Sequence, residues 1–177
     1  MKTLKKILIG LGILIAIPLV VALFLKKEYT VSREITVNKP VATVFDYIKH
    51  LKNQKEYSIW VQADPNLKQQ FKGTDGTVGF VNSWQGNDKA GEGEQEITAV
   101  KENERVDMQI RFKEPFESTM QAAIITQEVT PAHTKVTWTT TGKNPYPTNF
   151  MCLFMDDMLG KDLEANLANL KTILEKQ

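Results

Sequence analysis

The side chains that most often carry chemistry are few in this sequence and lie far apart. The two histidines are His50 and His133, and the single cysteine is Cys152. A zinc site needs three or four soft ligands, so these residues do not assemble one. Cys152 lies in an apolar stretch with no cation or base beside it, which favours an inert thiol over a nucleophile. Asp156 and Asp157, near the start of a predicted helix, are interpreted as solvated acids rather than metal ligands. We therefore predict no metal and no cofactor.

Sequence motifs of the common enzyme classes are also missing. There is no G-x-S-x-G segment, phosphate-binding loop or dinucleotide fingerprint. Gly73, Gly76 and Gly79 suggest a glycine-rich loop, but Gly73-Thr74-Asp75-Gly76 is typical of an Asp-Gly hairpin turn. No catalytic residue is predicted, and an enzymatic function stays open only as an alternative.

Charge is divided unevenly along the chain. The first 27 residues contain five of the 22 basic residues and no acid, which leaves 17 basic against 21 acidic residues in the remainder. A domain with a net charge of −4 has no electrostatic attraction for phosphate backbones, so we predict no nucleic-acid partner. One cysteine allows no intrachain disulfide, so the core must hold the fold together.

An uninterrupted apolar run occupies residues 7–25. As a helix it spans roughly 28 Å, close to the roughly 30 Å hydrocarbon core of a bilayer. Lysine pairs flank it at 5–6 and 26–27, where their stems reach the headgroups. We predict an N-terminal transmembrane helix within a membrane anchor, residues 1–27, followed by one domain, residues 28–177.

A cleaved signal peptide is the alternative for this segment. Its one candidate cleavage site, Val20-Val21-Ala22, lies inside the apolar run, which favours a retained anchor. Lysines are nearly balanced at the two ends, so the positive-inside rule does not decide the orientation. The short tail before the run is typical of a signal-anchor, and we expect a single-pass membrane protein with an extracytoplasmic domain.

Apolar periodicity predicts an α+β domain. Val41, Val44, Phe45 and Ile48 recur at helical spacing after the first strand. Hairpin-length connections between the strands predict an antiparallel sheet. A final helix, to about Lys176, has an apolar stripe that includes Met155, Met158, Leu159, Leu163 and Leu167. The predicted strands are Tyr29–Val37, Leu67–Phe71, Val78–Trp84, Glu94–Val100, Arg105–Phe112, Ser118–Val129 and Thr134–Thr141.

The apolar face of the strands, with the final helix opposite, predicts the wall of an apolar pocket. Core filling is the simpler interpretation for any one of its members, because protein interiors are close-packed. Arg33, Asn82 and Gln95 share the inward parity and are candidates for orienting a polar group of a ligand. The predicted wall residues are Trp60, Phe80, Asn82, Trp84, Met108, Phe112, Met120, Trp138, Phe154 and Met158.

Several segments resemble the START-like (SRPBCC, polyketide-cyclase-like) superfamily. The segment Ile35 to Phe45 resembles the first strand and helix entry of these domains, and Tyr57 to Trp60 their aromatic pair. The segment Thr134 to Trp138 resembles the last strand, and Met158 to Lys171 the closing helix. The resemblance covers Tyr29 to Gln177. It implies a helix-grip fold, in which a curved antiparallel sheet of about seven strands surrounds a long C-terminal helix.

The resemblance also implies a cavity between sheet and helix that holds a lipid or another apolar small molecule. Fold alone does not select a function. We therefore carry three hypotheses: a membrane-anchored binder of an apolar small molecule or lipid, a cyclase- or hydrolase-like enzyme on an apolar substrate, and a structural or partner-binding domain with a filled core. The second requires an inward acid or base, and the third requires that no cavity exists.

Overall fold

A computed structural model describes the backbone of residues 2–177, and the side chains of all of these except residues 2–4, 8, 9, 11, 13 and 15. The helices are α1 (Lys2–Ala22), α2 (Val41–Ile48), α3 (Gln54–Tyr57), α4 (Ile59–Gln62) and α5 (Met155–Lys176), with short 3₁₀ helices at Leu51–Asn53 and Thr148–Leu153. The strands are β1 (Glu28–Val37), β2 (Lys68–Lys72), β3 (Val81–Gln85), β4 (Glu92–Lys101), β5 (Arg105–Glu114), β6 (Ser118–Thr130) and β7 (His133–Lys143).

The seven strands form one antiparallel sheet in the order β1-β7-β6-β5-β4-β3-β2. Consecutive strands from β2 to β7 are neighbours, as expected when short turns connect them. The pairing of β4 with β5 shifts register between Ile97 and Ala99. Such irregularities bend a sheet and increase its twist. The predicted sheet is confirmed, and each predicted strand differs from the observed one by only a few residues at its ends.

Helices α2, α3 and α5 cover the inner face of this sheet. Burial of Val44, Phe45 and Ile48 follows the predicted apolar side of α2. In α5, Leu163 and Leu167 are buried at helical spacing. The buried core is completed by Val31, Val37, Leu51, Tyr57, Phe80, Ile97, Val106, Met108, Ala122, Ile124, Val136, Trp138, Leu170 and Leu174.

The predicted transmembrane helix receives no support from the structure. Helix α1 ends at Ala22, so residues 23–25 of the predicted span lie beyond it. Within the described part of the chain, no helix is both long enough and apolar enough to cross a membrane. Positions 8, 9, 11, 13 and 15 of the predicted span lie outside the described side chains. The anchor therefore stays a prediction.

The end of α1 is joined to the domain by one buried side chain. Asn149, in the 3₁₀ helix before α5, has no exposed surface. Its Nδ2 donates hydrogen bonds to the backbone carbonyls of Ala22, at 2.7 Å, and Leu25, at 3.1 Å. Carbonyls at a helix C-terminus lack intrahelical partners, so Asn149 supplies the bond that Ala22 would otherwise lack. Ala22 itself is 1% exposed.

Arg33 connects β1 to the start of α5. Its guanidinium contacts both carboxylate oxygens of Asp156, at 2.9 and 3.0 Å, and its Nε donates to Glu164 at 2.7 Å. Gly160 lies directly under the guanidinium, where a Cβ atom would overlap Arg33 Nη2. Arg33 has the inward parity predicted for it, but it binds α5 and does not line the pocket described below.

This connection predicts a pH dependence. Hydrogen bonding from Arg33 lowers the pKa of Asp156 below its ordinary value of 3.8. A lowered carboxyl pKa stabilises the fold at pH values above 3.8, and this stabilisation is lost as pH falls through the folded-state pKa. We expect the urea midpoint of Arg33→Gln to fall less between pH 5 and pH 2.5 than the midpoint of the parent chain. The difference between the two falls should be modest because Asp156 is exposed.

The control for this experiment is Lys135→Gln, which removes an ion pair with Glu34 on the outer face. The urea midpoint of this variant should fall on acidification as much as that of the parent chain. If Arg33→Gln shows the same loss as the parent, the pairing with Asp156 makes no contribution to stability.

Candidate functional site: a pocket between the sheet and α5

A cavity of about 200 Å³ lies between the inner face of the sheet, α4 and the first turns of α5. It is larger than the roughly 150 Å³ cavity that accommodates benzene in an engineered protein, and smaller than the roughly 300–1,000 Å³ typical of pockets for drug-sized ligands. Its lining consists of Gln54, Ser58, Trp60, Val61, Leu67, Gln69, Asn82, Trp84, Lys89, Ala90, Gln95, Ile110, Phe112, Met120, Trp138, Thr140 and Leu159.

The cavity occupies one end of the sheet. Met120 lies near the start of β6, Phe112 near the end of β5 and Thr140 near the end of β7. In this antiparallel sheet those strand ends lie beside the start of β1, because Thr30 pairs with Thr141 and Met120 with Gly142. The pocket therefore lies at the end of the sheet where β1 begins, which is the end that is connected to α1.

Trp138 forms the middle of the wall. It is 2% exposed, and its ring meets Tyr57 edge-on at a centroid distance of 6.2 Å. The Trp60 ring also contacts it, at a centroid distance of 5.8 Å and with the two planes at 89°. Trp60 is itself fixed by a hydrogen bond from its Nε1 to Asp162 on α5, at 3.0 Å. Edge-to-face pairs of this kind hold aromatic rings in defined orientations.

Trp84 forms a second part of the wall. Its Nε1 donates to the carbonyl of Ala90 at 3.0 Å, and its ring contacts Phe112 at 5.7 Å in a T-shaped pair. The ring lies across Gly93, where a Cβ atom would stand 2.7 Å from the indole and 2.6 Å from the Arg111 carbonyl. A glycine is needed at position 93 because any larger residue would displace the indole or part the two strands.

Most of the polar side chains that line the cavity are carboxamides. Gln69 Nε2 donates to Asn82 Oδ1 at 3.3 Å, and Gln95 Nε2 contacts the sulfur of Met108 at 3.0 Å. Asn82 and Gln95 are opposite each other on β3 and β4. Gln54 on α3 is 5% exposed, and its Nε2 has no hydrogen-bond partner. The wall thus combines hydrocarbon with neutral hydrogen-bonding groups.

The cavity lining is almost free of ionisable groups. Among its described residues, Lys89 alone is ionisable, and Lys89 is exposed at the rim. Behind the wall, burial raises the pKa of the Tyr57 phenol, and the nearby Gln54 carboxamide opposes this shift without reaching hydrogen-bond geometry. Tyr57 therefore stays neutral, and the interior offers no charged side chain to a ligand.

Six of the ten predicted wall residues line this cavity. They are Trp60, Asn82, Trp84, Phe112, Met120 and Trp138, and Gln95, which was predicted to face inwards, joins them. Their contact with a ligand stays a prediction. Strand parity located those that lie on strands, because side chains alternate between the two faces of a sheet, whereas Trp60 lies on α4.

The other four predicted wall residues lie elsewhere. Phe80 and Met108 are fully buried in the core beyond the pocket, because parity fixes the face of a sheet and not how far a cavity extends along it. Phe154 and Met158 are 51% and 54% exposed. Met158 was assigned to the buried stripe of α5, but it is five residues before Leu163 and so lies about 140° away around the helix. Leu159 faces the pocket instead.

Apart from Trp60, sequence reasoning missed the part of the lining contributed by α3, α4 and β2. Gln54 and Ser58 lie in or between helices of four residues, which are too short to show a periodic apolar pattern. Gln69 is polar on a short edge strand and carried no apolar signal. The available signal was a cluster of polar residues beside the aromatic pair Tyr57 and Trp60.

An antiparallel sheet that encloses a long C-terminal helix over an apolar pocket defines the helix-grip class of α+β proteins. The chain belongs to the polyketide cyclase/dehydrase and lipid transport family, whose sequence profile matches residues 28–175. The resemblance predicted from sequence is confirmed. No curated protein sequence matches the chain significantly.

Solved structures agree with this fold. Norcoclaurine synthase from Thalictrum flavum, determined in complex with dopamine and hydroxybenzaldehyde, superposes with a TM-score of 0.64 at 11% identity over 85% of this chain and 88% of its own. Ara h 8.0201 gives a TM-score of 0.60 at 14% identity, over 85% and 99% of the two chains. XoxI from Bacillus cereus gives 0.60 at 13%, over 82% and 95%. Identities this low show the fold alone.

Proposed function

We propose that this protein binds a compact, largely apolar small molecule in the pocket between the sheet and α5. The observation that carries the proposal is unfilled volume, about 200 Å³, next to a core of buried apolar side chains, where protein interiors are normally close-packed. A filled core, the structural alternative, leaves no such volume. Membership of a family described by lipid transport and by polyketide cyclases supports an apolar ligand.

The size of the cavity restricts the kinds of ligand that it can hold. Its volume suits a molecule of one or two fused rings, and an extended acyl chain would have to continue outside the cavity, past exposed lining residues such as Trp60 and Lys89. We therefore favour a compact ring system over a complete phospholipid.

The enzymatic alternative has less support. Cyclisation or hydrolysis needs a group that transfers a proton or attacks the substrate. The described lining offers only Lys89 at the rim, whereas its buried polar groups are carboxamides and hydroxyls. These groups hold and orient a ligand, so the geometry favours binding.

A variant that fills the pocket tests the proposal. Thr140 lines the cavity and is 4% exposed. We expect the full chain, purified in mild detergent, to retain a reproducible small molecule that native and denaturing mass spectrometry detect, and Thr140→Phe to lose at least about nine-tenths of it because the added ring occupies the cavity.

The matched control is Thr137→Phe, which adds the same ring on the outer face of the same strand and should retain the molecule. Leu159→Trp fills the cavity from α5 and guards against a folding defect peculiar to Thr140→Phe. Equal occupancy in all variants, or a parent chain that is empty and takes up no apolar probe, would rule out this function.

We also propose that residues 7–25 tether the domain to a membrane, with the domain on the extracytoplasmic side. The uncharged run of the sequence supports this. The end of the domain that adjoins α1 also exposes large apolar side chains: Phe116, between β5 and β6, is 81% exposed and Leu153 is 59% exposed. Exposed apolar side chains beside the run suit contact with a lipid surface.

Membrane fractionation tests the tether. The full chain should remain with membranes after an alkaline carbonate wash, and a variant with aspartates at positions 14 and 17 should be released, because buried charges are costly in the hydrocarbon region. Trypsin added to spheroplasts should digest the domain. Release of the parent chain by the wash would refute the tether, and protection of the domain from trypsin would refute the proposed side.

A further inference from the structure

The polar groups of the pocket carry more information than its volume. Asn82 and Gln95 are 3% and 6% exposed, and they lie opposite each other on the adjacent strands β3 and β4. Gln69 donates to the Asn82 oxygen, and the Gln95 nitrogen contacts the Met108 sulfur. This leaves the Asn82 nitrogen and the Gln95 oxygen without a protein partner among the described residues.

Both atoms keep some accessible surface, so a molecule in the pocket can reach them. A polar atom in a largely apolar pocket gains free energy from a hydrogen-bond partner, so a ligand that supplies one is favoured. The sulfur of Met108 is only a weak acceptor, so Gln95 is poorly satisfied even at its nitrogen. Gln54 also lines the cavity, but its unpartnered nitrogen is enclosed by protein and is not presented to a ligand. The pocket thus presents one unmatched donor, at Asn82, and one unmatched acceptor, at Gln95.

We propose that this pocket selects an uncharged ligand that carries a hydroxyl group, with Asn82 and Gln95 as its specificity-determining residues. A hydroxyl accepts one hydrogen bond and donates another, which complements the free Asn82 donor and the free Gln95 acceptor at neighbouring positions. The inference rests on the proposed binding function and adds to it the chemical class of the ligand.

The same lining discriminates against carboxylates. An ionised group is costly to bury unless an opposite charge accompanies it. Lys89 is exposed at the rim, and Asn82 and Gln95 offer only neutral partners. A ligand that differs from the preferred one only by a carboxylate in place of the hydroxyl therefore stays outside.

Three probes of similar size test this selectivity: 2-naphthol, 2-methylnaphthalene and 2-naphthoate. Binding to the full chain in detergent is measured by calorimetry, and the Thr140→Phe variant supplies the background from micelles. We expect 2-naphthol to bind at least about tenfold more tightly than the hydrocarbon and the carboxylate, since two hydrogen bonds that satisfy buried partners provide a difference of this order.

The variant Asn82→Leu with Gln95→Met replaces both amides by apolar groups of similar shape. In this variant the affinity for 2-naphthol should fall at least about fivefold, whereas that for 2-methylnaphthalene stays equal or rises. Gln95→Met alone should give an intermediate loss. The matched control is Gln121→Met, the same exchange on the exposed outer face of β6, and it should change neither affinity.

The outcomes separate this inference from the function on which it rests. Equal binding of 2-naphthol and 2-methylnaphthalene by the parent chain, or an unchanged preference in the double variant, overturns the selectivity and leaves the apolar binding function standing. Failure of all three probes to bind overturns both.

Discussion

Replacing Trp138 by alanine is expected to lower the free energy of unfolding by about 3–5 kcal/mol. Trp138 is 2% exposed and contacts the rings of Tyr57 and Trp60. Alanine removes the ring and leaves a void next to an existing cavity. Neighbouring side chains cannot fill this enlarged space, so the contacts of the ring are lost without compensation. Urea titration of the full chain in mild detergent, followed by circular dichroism, measures the change.

Two further variants calibrate this result. Trp138→Phe keeps a ring at the centre of the wall and should lose less than half as much. Val129→Ala removes apolar atoms from a side chain that is 57% exposed, and should stay within about 0.5 kcal/mol of the parent. A loss below about 1 kcal/mol in Trp138→Ala would mean that the aromatic contacts described for the wall do not form.

Replacing Asn149 by alanine is expected to release α1 from the domain. The substitution removes two hydrogen bonds and leaves the Ala22 and Leu25 carbonyls unpaired. Each lost bond to a buried partner costs about 1–3 kcal/mol, so local opening of the junction becomes at least about tenfold more frequent. Trypsin cleavage after Lys26 and Lys27 reports this opening, because both lysines follow the junction directly.

The initial cleavage rate at these two lysines is the quantity to compare, by mass spectrometry of the fragments. Asn66→Ala, at an exposed position, should cleave at the parent rate. The urea midpoint of the domain should change less than the cleavage rate, since the sheet and α5 do not depend on Asn149. Parent-like cleavage in Asn149→Ala would show that other contacts hold α1 in place.

The sheet was predictable from the sequence because alternation specifies it locally. Val106 and Met108 alternate with polar residues along β5, which indicates the face that each side chain occupies. Short connections join the consecutive strands from β2 to β7, which indicates how these strands pair. The long helix α5 was predictable for the same reason, from leucines at helical spacing.

The extent of the pocket was not predictable. Phe80 directly precedes β3 and has the same parity as Trp84, yet only Trp84 faces empty volume, whereas the Phe80 ring is fully buried and stacks on Phe71 at 6.0 Å. This depends on packing between segments, which no short-range pattern encodes. Likewise, the rotation of α5 about its axis decides that Leu159 enters the cavity and Met158 does not.

The neutrality of the cavity has a consequence for how its contents are retained. Carboxamides, hydroxyls and hydrocarbon neither gain nor lose protons between about pH 4 and pH 9, whereas histidine and the carboxylic acids titrate within or close to that range. A molecule bound as proposed, by Asn82 and Gln95, would therefore keep the same hydrogen-bonding partners in acidic and neutral surroundings. Its escape would depend on its partition into the neighbouring medium more than on protonation of these two side chains.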